Sequence, residues 1–237
     1  MSRLRHSLLC LCLITSPIYS FAADDDLSDL RKDAATDSEW RLVHNNKTHN
    51  IKTYFKKEDG KRVRSFKIES ELDAPLSTVA NVELDPNNYD KWYYQVTESK
   101  LLKATSNTEF YTYIRYNSPG GLPDRDTVLQ TIIKPYSKKT GYMQLTIRGI
   151  DDYIPATAGV TRIAALDMIA KFTPIAEGKK TNLEIVGYMD PGGFAPIWAV
   201  NFVQRTTPLT TIIGLQRMLL LPQYNSPSFS TPFKYME

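Results

Sequence analysis

Few side chains in this sequence have the types and spacings that bond-making chemistry needs. Beyond residue 22 the histidines are His44 and His49, and the cysteines Cys10 and Cys12 both precede that point. Triad catalysis by Ser or Cys with His has little to draw on, and no Gly-x-Ser-x-Gly elbow occurs. Beyond residue 22 no two His or Cys residues sit four apart, as they would on a metal-binding helix. No catalytic residue, metal or cofactor is therefore expected, and the protein is not expected to be an enzyme. Arg125-Asp126 and Asp151-Asp152 are charged doublets that could serve chemistry or a ligand. Both read as turn builders, since a short acidic side chain beside a strand start bonds nearby backbone; Arg125 would tie the following loops. What is left is binding by shape and apolar surface.

The elements that would enclose a ligand run through most of the chain. Asp190-Pro191-Gly192-Gly193-Phe194-Ala195-Pro196 is a glycine turn that launches a long amphipathic helix to Leu221. Pro196 suits the first helical turn, where its missing N–H costs nothing. Apolar residues then recur at Ile197, Val200, Phe202, Leu209, Ile212, Leu215 and Met218, close to helical spacing. Pro208 falls near the middle among threonines, where it removes a backbone bond and weakens the helix. Upstream, residues 49–55 and 63–72 form a hairpin around Asp59-Gly60. A helix over 73–84 follows, with Asp73 as N-cap and Pro75 in the first turn. Further strands are expected over 95–102, 110–116, 127–133, 141–150, 162–172 and 182–189. Met143, Leu145, Ile147 and Gly149 alternate with Tyr142, Gln144, Thr146 and Arg148, the pattern of an antiparallel sheet with one buried face. Strand runs flanked by helices make an α+β domain whose sheet curls around the final helix.

Bulk properties bound the rest. Arg3 and Arg5, an apolar run and Ser20-Phe21-Ala22 have the form of a signal peptide. Cleavage near Ala22 and export to a periplasm or the exterior are expected. Without that segment 27 basic residues stand against 26 acidic ones, a net charge of +1. Nucleic-acid binding, which needs a concentrated basic surface, is not expected. A disulfide-free chain in an oxidising compartment must be held by its core. The expected organisation is a signal peptide at 1–22, a polar spacer at 23–37, one domain at 38–221 and a loose tail at 222–237.

Five segments in order resemble the START (StAR-related lipid transfer) domain, a helix-grip fold of the wider Bet v 1-like group. Trp40-Arg41-Leu42-Val43 resembles its opening helix, and Asp73-Ala74-Pro75 with Tyr89-Asp90-Lys91-Trp92 its first internal helix and exit. Leu122-Pro123-Asp124-Arg125-Asp126 resembles the Arg-Asp strand opener, and Asp152-Tyr153-Ile154-Pro155 with Gly159-Val160-Thr161-Arg162 the passage that follows. Asp190-Pro191-Gly192-Gly193 with Pro196 to Asn201 resembles the entry to the gating helix. The leading segment makes the chain look like the family's secreted bacterial branch.

The resemblance implies an apolar cavity for one lipid or sterol-like molecule, covered by the C-terminal helix. It implies ligand contacts at Tyr113, Arg115, Leu129, Thr131, Met143, Leu145, Phe194, Trp198, Phe202 and Ile213. Relatives often carry a buried Arg where this chain has Thr131, so hydroxyls are expected to hold the head group; Arg115 or Arg162 would substitute only if turned inward. A monomer making transient membrane contact is expected, with lysine-rich hairpin tips near anionic lipid. Two alternatives on the same fold are a polyketide cyclase or aromatase, and a ligand-sensing module that docks a partner through the tail.

Overall fold

The strand-forming runs pair into one large curved antiparallel sheet in a computed structural model that describes residues 39–237. The expected signal peptide and spacer lie outside the described residues. The strands are β1 (Arg41–Asn46), β2 (Ile51–Lys56), β3 (Ser65–Leu72), β4 (Val96–Ser106), β5 (Glu109–Tyr116), β6 (Arg125–Lys134), β7 (Met143–Ile150), β8 (Thr161–Arg162), β9 (Ala165–Ile175) and β10 (Lys180–Asp190). Their spatial order is β1-β2-β3-β10-β9-β7-β6-β5-β4, and the two-residue β8 pairs parallel with β6. Sequence neighbours pair almost throughout; the β3–β10 pairing joins the first hairpin to the last strand.

The opening segment departs from the expected helix. Arg41 to Asn46 is strand β1, registered on β2 with Arg41 opposite Phe55 and Asn46 opposite Ile51. A tight reversal at residues 47–50, with the His49 N–H donating to Asn46 Oδ1 at 3.1 Å, brings a partner strand within reach. That partner satisfies backbone groups that a helix of a few residues leaves open.

Two helices matter for the site. Helix α1 (Leu76–Glu83) is buried on every side except at Ser77. Its N-cap is Pro75, with no side-chain cap. Asp73 instead makes an ion pair with Lys180, Nζ to Oδ1 2.8 Å. Helix α2 (Ile197–Leu219) runs unbroken through Pro208, although proline deprives the Gln204 carbonyl of its helical donor. At Gly214, α2 crosses the chain so closely that a Cβ would collide with the Trp92 carbonyl oxygen. The Thr211 hydroxyl accepts from the Tyr94 N–H nearby, at 3.3 Å.

Residues 222–237 are not a loose tail. Helix α3 (Pro222–Asn225) seats Tyr224 in the core, its hydroxyl donating to Asp85 Oδ2 at 2.8 Å. Asn81 Nδ2 donates to the Tyr224 carbonyl at 3.0 Å, and Phe233 packs on Phe110 with ring centroids 4.3 Å apart. The aromatics of this segment bury enough apolar surface to outweigh its turn-rich composition.

The inward face of the sheet is organised in rows set by register. One row, Ile51–Ser70–Leu183–Phe172–Met143, is fully buried. Two residues further along each strand lies a second row, Ile68–Ile185–Ala170–Leu145–Ile133. Beyond it a third runs Phe55–Phe66–Gly187–Met168–Ile147–Thr131. The first row packs solid. The third does not.

Candidate ligand site

Between the third row and the N-terminal half of α2 lies an apolar hollow of about 210 Å³. Its sheet wall is Phe55, Phe66, Ile68, Ile147, Met168, Ala170, Ile185 and Met189, and its helix wall is Ala199, Val200, Phe202, Val203, Thr207, Pro208 and Ile212. Gly187 makes the wall concave: a Cβ there would lie 2.5 Å from Met168 Cγ and 2.8 Å from Phe66 Cζ. A side chain at that position would drive both into the space.

Two groups stand out in the polar part of the lining. Glu83, Trp92, Tyr93 and Tyr116 form one. Glu83, the last residue of α1, is 6% exposed, and its carboxyl has no hydrogen-bond or ionic partner among the described residues. Burial alone lifts it to about 8. The Trp92 and Tyr93 rings lie 4.1 Å apart, and the Trp92 indole N–H is unpaired among the described residues. The Tyr93 hydroxyl is held well above its ordinary value by burial and by the fields of Glu83, Tyr89 and Tyr116. Burial likewise raises Tyr116.

Arg125 and Ser118 belong to the second group. Arg125 Nη1 donates to Ser118 Oγ at 2.9 Å and to the Pro123 carbonyl at 2.7 Å, and Nη2 to the Phe194 carbonyl at 3.0 Å. Arg125 thus ties the loop after β10 to the loop before β6: the Phe194 contact is the expected tie to a following loop, but Ser118 and Pro123 precede it. The Asp190 carboxylate accepts from the Gly192 N–H at 2.9 Å and shapes the turn into α2.

The residues singled out in the sequence scatter. Phe202 lines the hollow. Leu129, Thr131, Met143 and Leu145 point inward and are buried, but in core packing outside the lining. Ile213 is part-buried on α2, one position from the lining residue Ile212. Trp198 is 47% exposed, its ring over Gly120 in the 119–121 turn. Phe194 is 81% exposed, and only its carbonyl is engaged, by Arg125.

Tyr113 and Arg115 are on the wrong face. Strand β5 registers Tyr116 on Arg125 and Thr112 on Leu129, so its even-numbered residues face in and its odd-numbered residues face out. Tyr113 donates to Asp126 at 3.4 Å, and Arg115 pairs with Asp124 at 2.8 Å. Arg162 pairs with Asp126 at 2.8 Å on that same outer side and does not reach the hollow. Glu83, Trp92 and Tyr116 were missed. For Tyr116 a signal existed: Phe110, Thr112 and Ile114 share its parity and carry no charge, whereas Glu109 and Arg115 mark the other face as wet.

The comparisons agree with this architecture. A family model for the START domain matches residues 20–217. The crystal structure of a STAR-related lipid transfer protein from Xanthomonas axonopodis is similar, with 28% identity and a TM-score of 0.69, covering 77% of this chain and 99% of its own. Human StAR-related lipid transfer protein 5 has the same fold at 17% identity, TM-score 0.67, covering 85% of this chain and 94% of its own. An uncharacterized protein of Pseudomonas aeruginosa is 25% identical over 178 residues, 75% of this chain and 85% of its own length. With the family model spanning well over half of its length, the chain belongs to the START domain family.

Proposed function

We propose that this protein binds one lipid or similarly apolar molecule in the hollow beneath α2 and carries it between membranes. The observation that carries the reading is the hollow itself, walled by Phe66, Ile147, Met168, Ile185 and Phe202 and kept concave by Gly187. Each methylene buried there is worth about 0.8 kcal/mol against water, so a long acyl chain gains far more inside than in solution. Entry would use the N-terminal half of α2, where Ile197, Trp198 and Phe202 are exposed together and Pro208 lacks a helical N–H. Phe194 and Trp198 would then touch the membrane at the mouth. The signal-peptide pattern of residues 1–22 supports export, with the carrier acting in a periplasm or outside the cell as a monomer.

Native mass spectrometry of the purified protein, with identification of any co-purified molecule, tests binding. Transfer of that molecule between donor and acceptor vesicles tests carriage. A protein that retains and takes up no apolar ligand sinks both. A second reading, a cyclase acting on a polyketide-like chain, draws on Glu83 and Arg125 lining one hollow. Arg125 is already committed to loop carbonyls and Ser118, which favours the carrier.

A further inference from the structure

Inside the hollow, Glu83 is a chemical anomaly. A buried carboxyl without a counter-charge is expensive, and this one contributes nothing visible to the fold. Tyr89 does hold the end of α1, but through the Glu83 main-chain carbonyl, at 2.6 Å, and not through the carboxyl. Lining the same hollow are groups that mostly donate: the unpaired Trp92 indole N–H, stacked beside Tyr93, and the Tyr93 and Tyr116 hydroxyls, for which no partner is found among the described residues; Tyr93 lies within the field of both Glu83 and Tyr116. Such a set of protein groups is an unfinished hydrogen-bond network, open to a polar atom brought into the hollow.

We propose that the hollow selects an uncharged lipid, whose hydroxyl or carbonyl oxygen completes the network of Glu83, Trp92, Tyr93 and Tyr116. The proposal deepens the lipid-binding reading above and rests on it. An oxygen atom accepts from the indole and phenol donors, and a hydroxyl can also donate to the carboxyl. An ammonium group could pair with the carboxyl, but it must shed its water in an apolar hollow, and having donors only it leaves the Trp92 N–H unmatched. A phosphate or carboxylate meets a carboxyl with no cation in the cluster. Arg125, the charged side chain elsewhere in the lining, has both terminal nitrogens engaged by protein oxygens, which leaves only its buried Nε without a partner among the described residues.

The test uses diphenylhexatriene, a hydrocarbon dye with no polar group, bound to the purified protein and displaced by chain-matched dodecane, dodecanol, dodecylamine and dodecanoate. Dodecanol is expected to displace the dye at about one-tenth of the dodecane concentration, the worth of one net hydrogen bond. Dodecylamine and dodecanoate gain no such advantage. Read as the ratio of dodecane to dodecanol displacing concentrations within each variant, the dodecanol preference is lost in Glu83→Leu and reduced about threefold in Glu83→Gln, of the same shape. If the Leu variant fails to fold, the Gln variant alone decides. A preference for the amine or the acid, or a dodecanol preference that survives both substitutions, overturns the proposal while leaving lipid binding intact. A wild-type protein that binds no dye overturns the lipid-binding reading and this proposal with it.

Discussion

The two halves of α2 have similar apolar content and opposite situations. In the C-terminal half Leu215, Met218 and Leu219 are all at most 6% exposed, and Gly214 lies against the Trp92 backbone. In the N-terminal half Ile197 is 63%, Trp198 47% and Phe202 45% exposed, above the hollow. One half belongs to the solid core with Met143, Phe172 and Leu183, whereas the other faces atoms that are missing on one side and forgoes their dispersion contacts. A helix built this way is packed into the core at one end and exposes apolar surface at the other. There Asn201 and Gln204 tie it to Arg64 by hydrogen bonds. Local opening starts where buried contacts are fewest, and Pro208 sits between the two regimes.

The largest expected effect is at the core-packed end. Leu215→Ala should cost about 3–5 kcal/mol of stability in a denaturant titration, the range for deleting a fully buried leucine; a loss below about 1 kcal/mol would erase the contrast between the halves. Next comes Glu83. Its folded carboxyl titrates near 8 against an ordinary 4.5, so the folded state keeps a proton that the unfolded chain releases. Stability should therefore fall as pH rises from about 4.5 to about 8, by up to about 1.4 kcal/mol per unit, and level off outside that window. Thermal melts of Glu83→Gln across the same range should lose that part of the slope; an unchanged slope would place its origin elsewhere.

Smaller effects sharpen the picture on the open side. Gly187→Val pushes Met168 and Phe66 into the hollow, and dye affinity should drop about tenfold, or ~1.4 kcal/mol. Affinity equal to wild type would mean the ligand lies elsewhere. Trp198→Ala, half exposed, should change stability by less than about 1 kcal/mol yet slow lipid uptake from vesicles severalfold. Uptake at the wild-type rate would remove the open half of α2 from the entry route.

Much of this architecture was legible as periodicity. The alternation of Met143, Leu145 and Ile147, and of Leu183, Ile185 and Gly187, places those residues on the buried face in the structure. The turn at Asp190 and the start of α2 after Pro196 follow from proline and glycine chemistry that local sequence carries. The site was harder to read. Choosing Tyr113 over its even-numbered neighbours inverted one strand, because a period of two turns a one-residue error into the opposite face. Leu145 and Ile147 share a face and a pattern, yet one is core and the other lines the hollow. The tail misled through its serines and prolines, although Tyr224, Phe229 and Phe233 were there to announce burial.

By itself the sequence determined which residues form strands, which face of each is apolar, and that a long helix must close the sheet, since these follow from local propensity and from the need to bury one side of each element. Only the tertiary structure decided where along the sheet packing stops. A hollow is a shortfall of side-chain volume summed over β2, β3, β7, β9, β10 and α2, and no single segment encodes that sum. The same holds for Glu83: its neighbours in the chain mark it as an ordinary helix end, and its isolation exists only once Trp92, Tyr93 and Tyr116 have been folded around it.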